Sequence, residues 1–330
     1  MSRYRKRLPQ QGGRIFLSDA GLETMLSFQQ GFDLPSFASF VLLREERGRQ
    51  ALEAYFEMFA RMAHEHGLGA VLETPTWRAN PDWARGLGYN ALALAEANRA
   101  AVALLARVRE RWDSRATPIV ISGNIGPRGD GYRADRRMRA CDARDYHLAQ
   151  VATFAGTEAD MVSAFTMTYP DEAIGVVDAA ASCDMPVAIS FTLETDGRLP
   201  SGDALSEAIL RTDAETGSYC AYYMINCAHP GHIALALEEG GPWRARIHGV
   251  RANASRRSHA ELDEATELDD GDPDELGEEY LELRTLLPHM NVVGGCCGTD
   301  ERHVEAMLRS LARTTPLPPP VSGAYRPRAG

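Results

Sequence analysis

Short apolar segments alternate with longer amphipathic segments along almost the whole chain. The apolar segments are rich in Val, Ile, Phe and Tyr, whereas the longer ones repeat apolar residues at three- and four-residue intervals. Short continuous apolar runs are typical of strands buried on both faces, and the longer repeat is typical of helices. The pattern therefore predicts repeated strand–helix units rather than a sandwich or a helical bundle.

Eight segments have the character of buried strands. They are Ile15–Asp19, Ala70–Thr74, Ile119–Asn124, Met161–Thr166, Val187–Leu193, Ala221–Cys227, Ile247–Asn253 and Asn291–Cys296. The helical segments that follow them are Arg44–His66, Ala91–Trp112, Ala143–Gly156, Asp171–Ser182, Ala204–Thr216, Gly231–Glu239, Asp274–Leu287 and Glu301–Arg313. Pro170, Pro230 and Pro273 each precede a helical segment, where a missing N–H costs little.

Eight strands, each followed by a helix, predict a single α/β domain, a (β/α)8 barrel of the TIM type. An open doubly wound sheet is the alternative, but no G-x-G-x-x-G follows the first strand. The predicted organisation is an N-terminal arm (1–14), the barrel (15–313) and an extended Pro-rich tail (314–330). The acidic stretch 261–278 contains few apolar residues, which predicts a solvated insertion between strand seven and helix seven.

Composition and charge narrow the class further. Hydrophobic residues make up 44% of the 330 positions and charged residues 25%, which are ordinary values for a globular protein. With 35 basic and 46 acidic residues the net charge is −11, so nucleic acid is excluded as an expected partner. The basic N-terminus is not followed by an apolar region, and no long apolar run occurs, so we expect a cytoplasmic protein without a membrane partner. The sequence indicates no oligomeric state.

Polar residues gather where the predicted strands end. In a barrel of this type, the functional side chains stand at the carboxyl ends of the strands. The residues at or just after those ends are Asp19, Glu73, Thr74, Asn124, Thr166, Glu194, Asn226, Cys227, Asn253, Cys296 and Cys297. They are the candidate site.

Three of these residues are cysteines that should meet at one point. Cys227 ends strand six and the adjacent pair Cys296 and Cys297 ends strand eight. Three thiolates favour zinc, and three protein ligands leave the fourth position open, as in catalytic zinc sites. A redox disulfide between the adjacent pair is the alternative. The other cysteines are interpreted as small buried hydrophobes: Cys141, Cys183 and Cys220.

The charge of such a site indicates its chemistry. Three thiolates on a divalent ion carry a net charge of −1, and a bound substrate thiolate would bring it to −2 by the same count, so its sulfur stays electron-rich and deprotonated at neutral pH. Hydrolysis would be better served by histidine and carboxylate ligands. The sequence therefore favours attack by a thiol on an activated methyl group.

At four motifs the sequence resembles the homocysteine S-methyltransferase family. The motifs are Ser18-Asp-Ala-Gly-Leu-Glu-Thr24, Ser122-Gly-Asn-Ile-Gly-Pro127, Ile225-Asn-Cys227 and Gly294-Gly-Cys-Cys-Gly-Thr299. The resemblance covers roughly 15–313. It implies a zinc-dependent barrel enzyme in which Cys227, Cys296 and Cys297 bind the metal and Asp19 lies beside the amino-acid substrate.

Two positions depart from the pattern of that family. Phe165 stands where the family has a glutamate that binds the amino group of homocysteine, which weakens binding of an α-ammonium group unless Glu194 or Glu73 replaces it. Arg78 stands near an aromatic position of relatives that use betaine, and an arginine would repel a quaternary ammonium. The alternative for Arg78 and Trp77 is a rim pair without substrate contact.

The leading hypothesis is methyl transfer from a sulfonium, such as S-methylmethionine, to a zinc-bound thiol, with homocysteine the first candidate and methionine the product. The expected partners are therefore a small-molecule thiol and a methyl donor. Asp19, Glu194 and Asn226 would orient the amino acid, and Thr74, Arg78 and Asn124 would face the donor. One alternative is an enzyme acting on another thiol or selenol, or demethylating a sulfonium or ammonium metabolite. A zinc-binding protein without catalysis is another.

Overall fold

Eight parallel strands close on themselves into a barrel in the computed structural model of the chain, which describes residues 1–265 and 267–313. The strands are β1 (Phe16–Leu17), β2 (Gly69–Glu73), β3 (Ile119–Ile125), β4 (Met161–Met167), β5 (Val187–Phe191), β6 (Tyr222–Asn226), β7 (Ile247–Ala252) and β8 (Val292–Gly295). Each pairs with its neighbour in sequence, and β1 pairs with β8. The predicted (β/α)8 barrel is confirmed, and the open sheet is wrong.

Eight main helices surround the barrel in the described part of the chain. They are α1 (Glu46–Glu65), α2 (Ala91–Trp112), α3 (Ala140–Ala155), α4 (Pro170–Ser182), α5 (Leu205–Glu215), α6 (Pro230–Leu237), α7 (Pro273–Leu286) and α8 (Glu301–Ala312). Shorter helical turns, which the sequence pattern did not predict, include Leu22–Thr24, Pro81–Gly86 and His259–Asp263. Local signals fix several starts; for example, the Asn90 side chain accepts a 2.9 Å hydrogen bond from Ala93 N and so caps α2. Among the described residues, no helix is long and apolar enough to cross a membrane.

The strands are buried on both faces, which explains their continuous apolar runs. One apolar cluster fills the space between strands and helices. A second fills the inside of the barrel and includes Phe16, Val71, Val120 and Tyr222. Because side chains alternate along a strand, every second residue points inward, and the last inward positions reach the carboxyl-end mouth.

The first residues of the chain close the opposite end of the barrel. Leu8 is 4% exposed and belongs to the cluster inside the barrel. Gln10 Nε2 donates to the Tyr222 hydroxyl at 3.3 Å, at the start of β6. The Asp160 carboxylate, just before β4, accepts from the backbone N–H groups of Arg3 and Tyr4, each at 2.7 Å. The segment predicted as an arm therefore packs as a plug.

We expect Leu8→Ala to lower the free energy of unfolding by about 2–3 kcal/mol, because truncation of a buried leucine removes apolar contacts and leaves a cavity. Urea denaturation measures the loss. Leu92→Ala is the matched control, since Leu92 is 67% exposed and its truncation should change stability by less than about 0.5 kcal/mol. Equal effects of the two substitutions would contradict the plug.

The acidic segment between β7 and α7 exposes several of its acidic side chains, including Glu261, Glu264 and Glu267, but it also packs against the barrel. Part of it forms the helix His259–Asp263, and Leu268, Asp269 and Asp270 are only partly exposed. Asp269 accepts a 2.7 Å hydrogen bond from Ser255 Oγ. Several of its residues line a cavity at the barrel mouth, so this segment is part of the site. The predicted Pro-rich tail, 314–330, lies outside the described residues.

Candidate active site

A cavity of about 350 Å³ opens at the carboxyl ends of the strands. That size is within the range of small-molecule sites. Twelve of the predicted strand-end residues and substrate contacts line it: Asp19, Glu73, Thr74, Arg78, Asn124, Phe165, Thr166, Asn226, Cys227, Asn253, Cys296 and Cys297. The acidic segment covers one side through Leu262, Ala265, Glu267, Leu268 and Asp269. The expectation that functional side chains stand at the carboxyl ends of the strands therefore located this cavity from the sequence.

The three predicted cysteines meet in the cavity. The sulfur atoms of Cys227, Cys296 and Cys297 all lie within 4.8 Å of one another, so one metal ion could be held by all three. Cys227 and Cys296 are joined as a disulfide, whereas the Cys297 thiol is free. The alternative of a disulfide between the adjacent pair is therefore wrong. Disulfide and metal are alternative states of the same sulfurs, because metal ligation needs thiolates.

Glycines around the cysteine pair let the backbone pass close to its neighbours. A Cβ on Gly294 would lie 2.5 Å from the Asp19 carbonyl oxygen. Gly298 has a φ of 79°, and a Cβ there would lie 2.6 Å from the Asp269 carbonyl oxygen. Larger residues at these positions would move the cysteines, which explains the Gly-Gly-Cys-Cys-Gly pattern.

The other cysteines do not take part in this cluster. Cys220 is buried at 1% exposure, as a small hydrophobe should be. Cys183 is partly exposed, and Cys141 is exposed at the start of α3. The interpretation of Cys141 as a buried hydrophobe is wrong, because its helix turns it toward solvent.

Two aromatic residues stand over the cysteines and were not predicted, because neither lies at the end of a strand. The Tyr132 hydroxyl lies 3.8 Å from Cys227 Sγ and 3.7 Å from Cys297 Sγ. Its ring stacks on the His259 ring, with 4.1 Å between centroids. His259 Nε2 lies 2.6 Å from the Cys227 carbonyl oxygen. Tyr132 belongs to a loop and His259 begins the short helix His259–Asp263, so no hydrophobic periodicity could have indicated them.

A buried ion pair lies beside the cluster. Asp19 and Arg251 are 2% and 7% exposed and form an ion pair. Burial raises the pKa of Asp19 to about 6, although the Arg251 cation opposes the rise. The guanidinium of Arg251 also lies over the Phe165 ring, 5.1 Å from its centroid. Arg251 was missed as a charge within an apolar run, yet it stands two positions before Asn253, on the same inward face.

Glu73 is enclosed at the upper end of the barrel interior. It is 3% exposed, and its Oε2 atom makes no hydrogen bond to a described residue. Burial raises its pKa to about 7, since a buried carboxylate loses its hydration. Part of the Glu73 population is therefore protonated near neutral pH.

We expect Glu73→Gln to change how stability depends on pH. Because the folded chain holds the Glu73 proton more tightly than the unfolded chain, the resulting stabilisation is complete below about pH 4 and is lost as the pH rises through about 7. Between about pH 5 and about pH 8, wild type should lose about 2 kcal/mol relative to the variant. Urea denaturation at both pH values measures this. Glu110→Gln, at an exposed position of α2, is the control and should leave the wild-type pH dependence unchanged.

Asn226 is a structural clamp between three strands. Its Oδ1 accepts from Thr166 N at 2.9 Å and from Ser190 Oγ at 2.6 Å, and its Nδ2 donates to Thr166 Oγ1 at 3.0 Å. Thr166 and Cys227 both have positive φ, 62° and 52°, which is uncommon for residues with a Cβ. The clamp therefore holds Thr166 in a strained backbone conformation at the site.

Arg78 lies between two tryptophans at the edge of the cavity. Its guanidinium is 3.9 Å from the ring centroids of both Trp77 and Trp83. Its Nη1 donates to the Gly129 carbonyl oxygen at 3.2 Å. Arg78 is 7% exposed, so it is a built part of the wall rather than a loose rim residue.

The remaining predicted contacts differ in their access to the cavity. Thr74 Oγ1 accepts from Asn124 N at 2.8 Å and lies 2.7 Å from Thr76 Oγ1. The Asn124 Oδ1 atom has no hydrogen-bond partner among the described residues. Glu194 lies outside the cavity lining and approaches His259 Nδ1 at 3.4 Å. The loop after β5 thus turns Glu194 toward the back of His259.

Comparison with known proteins agrees with this fold. A sequence model described as homocysteine S-methyltransferase matches residues 16–311. The oxidized form of the homocysteine methyltransferase MmuM from Escherichia coli is 17% identical with a TM-score of 0.74, and the match covers 93% of this chain and 99% of that chain. The metallated form of the same enzyme is 18% identical with a TM-score of 0.73, and the match covers 93% of this chain and 100% of that chain. At these identities the structural likeness shows the fold alone.

Proposed function

The chain belongs to the homocysteine S-methyltransferase family, and on that premise we propose that it moves a methyl group from a sulfonium donor to the thiol of homocysteine, giving methionine. One observation supports the proposal above the others: three cysteine sulfurs lie within 4.8 Å of one another inside the cavity at the strand ends. A donor set of sulfur atoms alone fits zinc better than it fits hard cations such as magnesium.

In this proposal Cys227, Cys296 and Cys297 are the zinc ligands once the disulfide is reduced. Zinc held by three thiolates would keep the acceptor sulfur deprotonated without a general base. The acceptor releases its thiol proton to solvent on binding. Its sulfur electron pair then forms the new bond to the methyl carbon while the bond from that carbon to the sulfonium breaks, and the donor leaves as a neutral thioether.

The residues around the cysteines position the acceptor and exclude water. The Tyr132 hydroxyl is close enough to two of the sulfurs to donate its hydrogen to either of them. Leu262 and Leu268 from the acidic segment cover the cavity with apolar surface. A cavity shielded from water strengthens the electrostatic interactions inside it and protects the sulfonium from side reactions.

The stacked arginine supports a sulfonium donor with a carboxylate over betaine. An aromatic cage for a quaternary ammonium needs open ring faces, but the Arg78 guanidinium already covers Trp77 and Trp83. The same guanidinium would attract the carboxylate of a donor such as S-methylmethionine. Asn124, whose Oδ1 has no hydrogen-bond partner in the described part of the chain, lines the same cavity.

The test uses reduced, zinc-loaded protein. Metal analysis should give about one zinc per chain, and homocysteine should release about one proton per site, as reported by a pH indicator. S-methylmethionine carrying a labelled methyl group should then yield labelled methionine. Cys141→Ser, at the exposed cysteine, is the control and should behave as wild type.

The other outcomes separate the alternatives. Zinc binding with proton release from a different thiol or selenol, but not from homocysteine, would favour another acceptor, for which Phe165 in place of an acid is the reason. Zinc binding without methyl transfer from any donor to any thiol would favour a zinc-binding protein. A reduced protein that binds no zinc would contradict the proposal.

A further inference from the structure

Arg251 stands between the two strands that carry the cysteines. Strand β7 pairs with β6 and with β8, and Arg251 is in register with Asn226 on one side and Gly294 on the other. The Arg251 carbonyl oxygen accepts from Cys227 N at 3.1 Å. A positive charge is therefore built into the backbone frame that holds the three sulfurs.

The guanidinium of Arg251 is fixed, yet one nitrogen remains available. Its Nε donates to the Gly295 carbonyl oxygen at 3.0 Å, its Nη2 donates to the Ala20 carbonyl oxygen at 2.9 Å, and Asp19 pairs with it. Its Nη1 makes no hydrogen bond to any described residue, and Arg251 lines the cavity. A preorganised donor of this kind suits a carboxylate of a bound molecule.

The three carboxylates that interact electrostatically with Arg251 are poorly placed to bind an ammonium group beside the cysteines. Asp19 is engaged by Arg251, and Glu23 accepts from Ser39 Oγ at 2.7 Å. Glu73 lies in the barrel interior, where its raised pKa leaves it partly neutral. Phe165 presents an apolar ring under the Arg251 guanidinium. Charge and shape on this side therefore favour an anionic group over a cationic one.

We propose that Arg251 binds the carboxylate of the acceptor, and that the acceptors are thiol carboxylic acids whose recognition does not depend on an α-ammonium group. This inference rests on the proposed function, because it concerns the acceptor of the same reaction. It makes Arg251 a specificity-determining residue and separates the contribution of each charged group of homocysteine.

A matched set of thiols tests this in the wild-type protein. Homocysteine carries both groups, 4-mercaptobutanoate lacks the amino group, 3-aminopropanethiol lacks the carboxylate, and 1-propanethiol lacks both. Thiol-dependent proton release gives each dissociation constant in the reduced, zinc-loaded protein, and labelled methyl transfer gives each kcat/KM. We expect 4-mercaptobutanoate to bind within about threefold of homocysteine and 3-aminopropanethiol to bind about 10- to 100-fold more weakly.

Variants assign the preference to Arg251. Arg251→Lys keeps the positive charge but loses the planar array of N–H donors of the guanidinium. The preference for a carboxylate should therefore fall about tenfold. Asp19→Asn/Arg251→Gln removes both charges together and should abolish the preference, measured within the variant as the ratio of the dissociation constants of 1-propanethiol and 4-mercaptobutanoate.

Two results would overturn the inference while the proposed function stands. One is binding of 3-aminopropanethiol as tight as that of homocysteine, and the other is a loss of more than about tenfold for 4-mercaptobutanoate, which would assign recognition to the ammonium group. Failure of all four thiols, including 1-propanethiol, to release a proton would overturn both proposals.

Discussion

Replacing Cys297 with serine is expected to lower methyl transfer by about a thousandfold or more. In the proposed zinc site a hydroxyl would be a much poorer ligand than a thiolate, and loss of the metal would remove several kcal/mol of stabilisation from the reacting sulfur. Cys297 is the informative choice because its thiol is free, whereas a change at Cys227 or Cys296 also removes the disulfide.

The measurement combines zinc content with initial rates of labelled methyl transfer. Cys141→Ser is the matched control, since that thiol is exposed and separate from the cluster. Thermal unfolding of both variants checks that the barrel remains intact. A Cys297→Ser protein that keeps its zinc and its wild-type rate would exclude this sulfur from the metal site.

Arg251→Met should destabilise the protein by about 3–5 kcal/mol, because it leaves Asp19 buried beside an apolar side chain. Both members of the pair are almost inaccessible to solvent, so water cannot replace the lost partner. Guanidinium chloride denaturation measures the change. The double variant Asp19→Asn/Arg251→Met removes both charges and should recover about half of the loss.

An exposed ion pair provides the control for this experiment. Arg211 contacts Asp171 and Glu215, but its side chain is 43% exposed. Arg211→Met should therefore cost less than about 1 kcal/mol. If Arg251→Met costs no more than Arg211→Met, the buried pair does not contribute to stability as its burial implies.

The barrel could be predicted because its strands are short, continuous apolar runs, which are typical of strands buried on both faces. Strands β2 to β8 begin within one residue of their predicted starts, whereas β1 is reduced to Phe16–Leu17 from the predicted Ile15–Asp19. The cysteine cluster could be predicted from the sequence, since Cys227 and Cys296 directly follow β6 and β8. The barrel rule brings such residues together without any knowledge of the loops.

The parts that could not be predicted depend on loops and on burial of charge. Tyr132 and His259 reach the cysteines from connections without periodicity. Glu194 was expected to face the substrate because it follows a strand, but the loop turns it away. The composition of the acidic segment predicted that it is surrounded by solvent, whereas Leu262 and Leu268 place it against the cavity. The two leucines were the available signal.

The plug formed by the first residues sets an order of assembly during synthesis. Arg3 and Tyr4 dock on Asp160, and Gln10 docks on Tyr222, so these contacts span 157, 156 and 212 positions. The segment leaves the ribosome before any of its partners exists and must wait until β6 has been made. Contacts so distant along the chain slow folding. Until they form, the apolar cluster inside the barrel stays uncovered at the end that the plug closes. Chaperone capture during translation should therefore be strongest between the emergence of β1 and that of β6.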